Sequence, residues 1–119
     1  EMKAPVEITE QSLAGAWTLT GAAGKEGVIE TLPEGELIVE GNRFGFSAEC
    51  NDMAGDITVD DGQVHTANVI TTQMLCEGDV GAVDDIAAAT LGDIQSSTLT
   101  EDGELTLVGP EESLTFQRQ

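Results

Sequence analysis

Alternation of apolar and polar residues with a period of two is the feature that most constrains the fold of this chain. Trp17 and Leu19 alternate with threonines, and segments 36–40 and 43–48 repeat the pattern on either side of a Gly-Asn turn. This spacing places the apolar side chains on one face of a β-strand. Gly-Asn and Asp-Gly pairs between such segments are typical of hairpin turns. The pattern therefore predicts a mainly β protein built from antiparallel hairpins.

Residues 81–92 break the alternation. Their apolar positions recur at helical spacing, with Asp79 as the expected N-cap and Gly92 as the C-terminal stop. These positions are Val83, Ile86, Ala87, Thr90 and Leu91. We therefore predict a small antiparallel β-barrel of about eight short strands, covered at one side or end by one short α-helix. Closure of the barrel would remove exposed strand edges.

The interior of this barrel needs large apolar side chains. The sequence has few aromatic residues, and each of them lies in or beside an alternating segment. We expect these residues and one methionine to fill the core: Trp17, Phe44, Phe46, Phe116 and Met74. The alternative for the phenylalanines and Met74 is that some of them line a groove at the barrel mouth.

Charge excludes several classes of partner. The 119 residues include 23 acidic and 4 basic side chains, for a net charge of -19. Such a surface repels nucleic acid and anionic membranes. No apolar run approaches the roughly 18 residues that span a bilayer, so we expect no direct membrane insertion. Salt adaptation, binding of a basic partner protein and loose cation binding would each explain the acidity.

The residue types that enzymes use are scarce. His65 is the only histidine, tyrosine is absent, and no phosphate-binding loop or nucleophile motif is present. His65 is predicted to be a solvated strand residue. We expect no enzymatic activity and no cofactor.

Acidic residues at positions 51–61 raise the question of calcium binding. Asn51, Asp52, Asp56, Asp60 and Asp61 cluster there, but no window has the ligand spacing of an EF-hand. Low-affinity calcium binding by these acidic turns is therefore one alternative function.

The two cysteines, Cys50 and Cys76, are separated by 26 positions. A tetrahedral zinc site needs four Cys or His ligands, and only His65 is available beside them, so we expect no metal. A disulfide is favoured. Two buried reduced thiols remain the alternative.

Four segments between Leu13 and Arg118 resemble, in order, the META domain, the family of the bacterial heat-shock protein HslJ. They are the L-x-G-x-W-x-L opening, a Cys-Asn segment, a T-x-M-x-C segment before the helix, and a closing hairpin. The matching positions are Trp17, Cys50, Asn51, Gly55, Thr72, Met74 and Cys76. Glu49 stands where the family usually has a glycine. The resemblance divides the chain into an N-terminal tail, 1–11, and a META-like domain, 12–119.

The resemblance implies a compact β-barrel with a helix, found mostly in exported or lipid-anchored envelope proteins without an established activity. It also favours a bond between Cys50 and Cys76, since each lies at the edge of a motif and an extracytoplasmic location preserves disulfides. Met2 behind Glu1, and the lack of an apolar signal segment, lead us to expect a mature form whose export signal has been removed.

The function expected from these observations is that of a non-catalytic envelope or secreted domain. It would act as a monomer in stress or tolerance and bind a partner protein or an apolar ligand through the barrel end or an acidic face. The alternative is a secreted enzyme inhibitor, for instance of a protease, which acts through the glycine-rich loop 21–27 around Lys25.

Overall fold

A computed structural model describes residues 5–119. Within that range the chain forms ten strands and two helices. The strands are β1 (Pro5–Val6), β2 (Gly15–Gly24), β3 (Gly27–Val28), β4 (Glu36–Glu40), β5 (Arg43–Ser47), β6 (Asp52–Asp60), β7 (Gln63–Thr71), β8 (Ser96–Thr100), β9 (Glu104–Val108) and β10 (Ser113–Arg118). The helices are α1 (Glu10–Leu13) and α2 (Gly78–Gly92). Neither of these helices has the length and apolarity needed to cross a membrane.

The alternation in the sequence sets the two faces of the sheet. In β2, Trp17 and Leu19 are buried while Thr18 and Thr20 are exposed. The prediction of a mainly β fold is confirmed. Ten strands and two helices form within residues 5–119 instead of about eight strands and one helix, because β1, β3 and the four-residue helix α1 were too short to leave a pattern.

The strands form one antiparallel sheet. Its order is β1-β8-β9-β10-β2-β4-β5-β6-β7, and β3 pairs with β2 beside this path. The register shifts at Thr115/Phe116 between β10 and β2, and at Ala54/Asp56 between β6 and β7. Such bulges increase the local twist of a sheet, which helps it to curl.

The predicted closed barrel is wrong. The sheet is an open, curled half-barrel whose path ends at β1 and β7. Helix α2 packs against β2, β7, β9 and β10, and the hydroxyl of Thr66 on β7 donates a hydrogen bond to the carbonyl oxygen of Leu91. The apolar face of α2, instead of a further strand pairing, therefore completes the cover of the core.

Helix α2 begins earlier than predicted. Glu77, not Asp79, is the N-cap, and the backbone N–H of Gly81 donates to the carbonyl oxygen of Glu77 at 3.4 Å. Asp79 lies in the first turn, where an acidic side chain interacts favourably with the helix dipole. The five positions predicted to form the buried face are all buried, and Asp84 is buried with them.

Residues 5–11 lie against the sheet. They form β1, which pairs with β8, and the start of α1, and the side chain of Ile8 is buried. Thr9 and Ser12 form a reciprocal capping box at the N-terminus of α1. Residues 1–4 of the expected tail lie outside the described residues.

Aromatic side chains fill the core as predicted. Trp17, Phe46 and Phe116 are among the largest fully buried side chains, and Phe44 is also buried. The rings of Phe46 and Phe116 meet edge to face, with centroids 6.1 Å apart. These contacts join β5 to β10 across the interior of the half-barrel.

Few of the acidic side chains are neutralised by cations. Within residues 5–119, ion pairs join Lys25 to Glu111 at 2.9 Å and Arg43 to Asp56 at 3.4 Å. Arg118 instead donates to the carbonyl oxygens of Ser12 and Ala14. Most of the 23 carboxylates therefore repel one another across the surface.

We predict that the melting temperature rises with sodium chloride. The screening length falls from about 30 Å at 0.01 M to about 3 Å at 1 M, which weakens the repulsion between carboxylates in the folded protein. Thermal melts across this range, with calcium chloride at matched ionic strength as the control, test the effect. A melting temperature that does not change with sodium chloride would contradict it, and a gain with calcium alone would indicate a specific calcium site.

Candidate functional site

The structure brings three motif residues together around the buried side chain of Asn51, which is itself part of the motif. Asn51 lies directly before β6 and is 7% exposed. Thr72, Met74 and Cys76 lie in the irregular segment 72–77, which connects β7 to α2. Because β6 and β7 form a hairpin, the two parts of the motif meet at the same end of that hairpin.

The side chain of Asn51 holds segment 72–77 in place. Its Oδ1 accepts hydrogen bonds from the Thr72 hydroxyl and from the backbone N–H of Met74, both at 2.8 Å. Its Nδ2 donates to the backbone carbonyl oxygen of Met74 at 3.0 Å. The Asn51 amide thus provides hydrogen-bond partners for both the N–H and the carbonyl oxygen of Met74. In a sheet, a neighbouring strand would provide these partners.

The same amide ties the segment to α2. The Nδ2 of Asn51 donates to Oδ2 of Asp84 at 2.7 Å and lies 3.7 Å from the sulfur of Cys76. Asp84 is 7% exposed. Because this hydrogen bond is charge-assisted and shielded from water, it is a strong link between the sheet and the helix.

Cys50 and Cys76 lie at disulfide-bonding distance, as predicted. Their Cα atoms are 6.4 Å apart, and the described residues contain no free cysteine. The alternative of two reduced thiols therefore does not apply to this structure. Closing a loop of about 27 residues stabilises the fold by about 3.5 kcal/mol in the chain-entropy model.

Gly55 of the motif is required by close packing. A Cβ at this position would lie 3.0 Å from Phe44 Cε1 and 3.1 Å from both the carbonyl oxygen of Ala67 and the Cα of Val69. Two of these three atoms belong to the backbone of β7, which bulges opposite Gly55. Any side chain here would push β7 away from β6.

Two further residues of this cluster were not predicted. A Cβ at Gly81 would lie 2.4 Å from the carbonyl oxygen of Cys76, so a glycine lets α2 begin directly against segment 72–77. Asp84 shares a helix face with Ala87 and Leu91, at i+3 and i+7. An acidic residue on an apolar helix face is the sequence feature that could have predicted a buried carboxylate with a hydrogen-bond partner.

The prediction that Met74 fills the core is wrong. The Met74 side chain is 60% exposed, and that of Leu75 is 96% exposed. Asn51 binds the backbone of Met74 instead, and this irregular backbone directs the side chain outward. Met74 and Leu75 therefore form an exposed apolar tip beside the disulfide.

Trp17 has a structural role, as predicted. It is fully buried, and its Nε1–H donates to the carbonyl oxygen of Leu13 at 3.0 Å. The guanidinium of Arg118 lies 4.2 Å from the centre of the indole ring. Trp17 thus joins α1 and the end of β10 to the core.

Glu49, which stands where the family usually has a glycine, makes a specific contact. Its Oε2 accepts a hydrogen bond from the backbone N–H of Glu34 at 3.0 Å. The carboxylate therefore fastens the loop between β3 and β4 to the end of β5.

The acidic residues at positions 51–61 do not converge on one point. They are spread along β6 and its turn, where each residue advances the strand by about 3.3 Å. Asn51 is committed to segment 72–77, and Asp56 accepts a hydrogen bond from Asn68 at 2.8 Å and pairs with Arg43. The structure does not assemble these residues into a chelating loop.

Loop 21–27, the candidate inhibitory loop, is largely strand. Residues 21–24 belong to β2, and the chain turns through Lys25 and Glu26 into β3. Lys25 forms a hydrogen bond and ion pair with Glu111, and this bond raises the pKa of Lys25 above its ordinary value. The tip is thus a hairpin whose cation is already paired.

A groove of about 710 Å³ lies between this hairpin and the first half of α2. Ile29 and Ile86 contribute apolar surface, and Val28, 73% exposed, lies at its edge. Five acidic residues line it together with Lys25. None of the five forms an ion pair within residues 5–119, although the charge of Glu112 helps to raise the pKa of Lys25. The five acidic residues are Glu26, Glu30, Asp79, Asp85 and Glu112. The groove therefore combines negative charge with apolar surface.

We predict that Asn51→Ala destabilises the fold by about 3 kcal/mol. The substitution removes the hydrogen bonds of Asn51 to the Thr72 hydroxyl, the backbone of Met74 and the Asp84 carboxylate, and unmade buried hydrogen bonds cost about 1–3 kcal/mol each. Urea denaturation measures the change. Asn42→Ala, which removes an exposed amide in the β4–β5 turn, is the control. An equal effect of the two substitutions would contradict this role of Asn51.

Comparison with known proteins agrees with this architecture. The chain is similar in fold to a solved structure described as "NMR structure of the protein from Burkholderia xenovorans", with a TM-score of 0.74, 19% identity, and coverage of 100% of this chain and 94% of that chain. A search of curated protein sequences found no match. The sequence model of the META domain matches residues 10–119. Because this match spans nearly the whole chain, the protein belongs to the META domain family.

Proposed function

We propose that this META domain is a non-catalytic binding domain of the bacterial envelope that holds a basic segment of a partner protein in the groove between the β2–β3 hairpin and α2. The five carboxylates that line the groove, against the single cation Lys25 among its described lining residues, are the observation that carries this proposal. Complementary charge speeds the encounter of two proteins and selects against wrong partners.

The apolar surface of the groove defines the partner further. Ile86 is buried in the helix–sheet interface, Ile29 is half-buried, and Val28 is exposed at the edge. A partner segment with lysine or arginine around one or two apolar side chains matches this arrangement. The apolar side chains would supply the buried centre of the contact, and the cations would surround it.

A location outside the cytoplasm is supported by the cysteine pair. Disulfides persist in oxidising compartments, and Cys50 and Cys76 lie at bonding distance. A role in envelope stress or antibiotic tolerance is the extension of this proposal that the family suggests.

A non-catalytic role is supported by the position of His65. The side chain is exposed on β7 and faces Thr58 across the β6–β7 ladder, away from the groove. With His65 outside the groove, the role of the groove carboxylates in this proposal is to attract the cations of a partner.

We predict that Asp79→Asn with Asp85→Asn weakens binding of a basic peptide about tenfold. Each carboxylate contributes up to about 1 kcal/mol to an exposed charge contact, and 1.4 kcal/mol is a factor of ten. A peptide that alternates lysine and leucine is the probe, titrated into isotopically labelled protein and followed by NMR shifts. The shifts should concentrate at the groove residues and weaken with added salt.

The matched control is Asp60→Asn with Asp61→Asn, in the β6–β7 turn. It changes the net charge by the same amount at two exposed positions, so binding by overall charge alone would weaken equally in both variants. Equal loss in the two variants, or shifts spread over the whole surface, would contradict the groove as the binding site. With a confirmed groove, the same pair of variants in a pull-down from envelope extract identifies the natural partner.

A further inference from the structure

The disulfide and Asp84 form a compact cluster of three metal-ligating side chains. The sulfurs of Cys50 and Cys76 and a carboxylate oxygen of Asp84 all lie within 4.8 Å of one another. The Cys76 sulfur is 3.5 Å from Oδ2 of Asp84. The sequence analysis considered only cysteine and histidine as zinc ligands. The fold places the carboxylate of Asp84 beside the two cysteines.

Asp84 carries an oxygen that its role in the fold does not use. Its Oδ2 accepts the hydrogen bond from Asn51, but the buried Oδ1 has no hydrogen-bond partner within residues 5–119. A buried carboxylate oxygen without a partner is costly and rare. The carboxylate that lies beside the two sulfurs through Oδ2 thus keeps a second, buried oxygen that a cation can use.

Asn51 gives this carboxylate a fixed orientation. Its Nδ2 lies 2.7 Å from Oδ2 of Asp84, and its Oδ1 is held by Thr72 and Met74. Groups that ligate metals are commonly oriented in this way by a neighbouring hydrogen-bond donor. The cluster therefore has both the ligands and the support that a metal site needs.

We propose that reduction of the Cys50–Cys76 disulfide creates a zinc site formed by the two thiolates and the Asp84 carboxylate. A dithiol reductant supplies two electrons and two protons, breaks the S–S bond and leaves as its own cyclic disulfide. Zn²⁺ then displaces one proton from each thiol, and the two Zn–S bonds and one Zn–O bond form. Water occupies the fourth position, as in other zinc sites with three protein ligands.

The geometry and charge of the cluster suit zinc. Tetrahedral ligation with Zn–S bonds of about 2.3 Å places two sulfurs about 3.8 Å apart, so the freed side chains need only small rotations. Thiolates favour zinc over calcium or magnesium. The oxidised protein offers no thiolate, so the site exists only in the reduced form and oxidation releases the metal.

Cobalt is the probe that tests this proposal. The protein is reduced with a dithiol, freed of reductant without oxygen, and titrated with Co²⁺, followed by displacement with Zn²⁺. We expect one Co²⁺ per chain, with thiolate-to-cobalt charge-transfer absorption and tetrahedral bands, in the reduced protein, and no such bands in the oxidised protein. Asp84→Asn should weaken the affinity at least about tenfold.

Asp85→Asn is the matched control, since it removes the neighbouring carboxylate, which is exposed on α2. The reduced Asp85→Asn protein should bind cobalt with the affinity of the unmodified chain. Reduced protein without charge-transfer absorption, or equal affinity in Asp84→Asn, would overturn the proposal. If reduction of the disulfide unfolds the chain, circular dichroism measures whether metal binding restores the fold. Zn²⁺ should then restore the fold of the unmodified protein but not that of Asp84→Asn, and failure to do so would also overturn it.

Discussion

The hydrogen bonds of one buried amide hold together the parts of this protein that the sheet alone does not connect. Asn51 stands at the start of β6, fixes the backbone of Met74 and reaches Asp84 on α2. Without the Asn51 side chain, the irregular segment 72–77 would lose its hydrogen bonds to the start of β6. The buried carboxylate of Asp84 would also lose its hydrogen-bond donor. The disulfide runs parallel to this link, from Cys50 to Cys76. The covalent bond limits how far the segment can move, while the amide determines its conformation. In this chain the Cys-Asn and T-x-M-x-C segments therefore join helix α2 to the curled sheet.

That helix explains why the sheet is open. An antiparallel sheet of this length has two ways to bury its inner face, namely to close on itself or to be covered by another element. Here α2 provides the cover, with Val83, Ala87 and Leu91 inside the core. The sheet therefore keeps two edges in the described part of the chain, at β1 and β7.

Helix α2 also connects the two sites proposed above. Its outer side supplies Asp79 and Asp85 to the acidic groove, and its inner side supplies Asp84 to the cysteine cluster. Neighbouring residues of one helix point in directions about 100° apart, so adjacent carboxylates at positions 84 and 85 have entirely different surroundings. One is buried and bonded to an amide, and the other is exposed beside an apolar surface. Their chemistry follows from this difference in burial, since both have the same side chain.

Local patterns in the sequence determined eight of the ten strands, helix α2 and the buried aromatic residues of this protein. Alternation and helical spacing act between near neighbours, so Trp17, Phe46 and the apolar face of α2 could be placed without a structure. Three features depended on the tertiary fold. The open edge of the sheet follows from packing of α2, the outward position of Met74 follows from capture of its backbone by Asn51, and the site of Asp84 follows from the meeting of residues 33 positions apart. The acidic groove is of the same kind, because only folding brings the β2–β3 hairpin beside α2. Contacts between distant segments depend on how the elements pack, and no periodic pattern in a single chain encodes that packing.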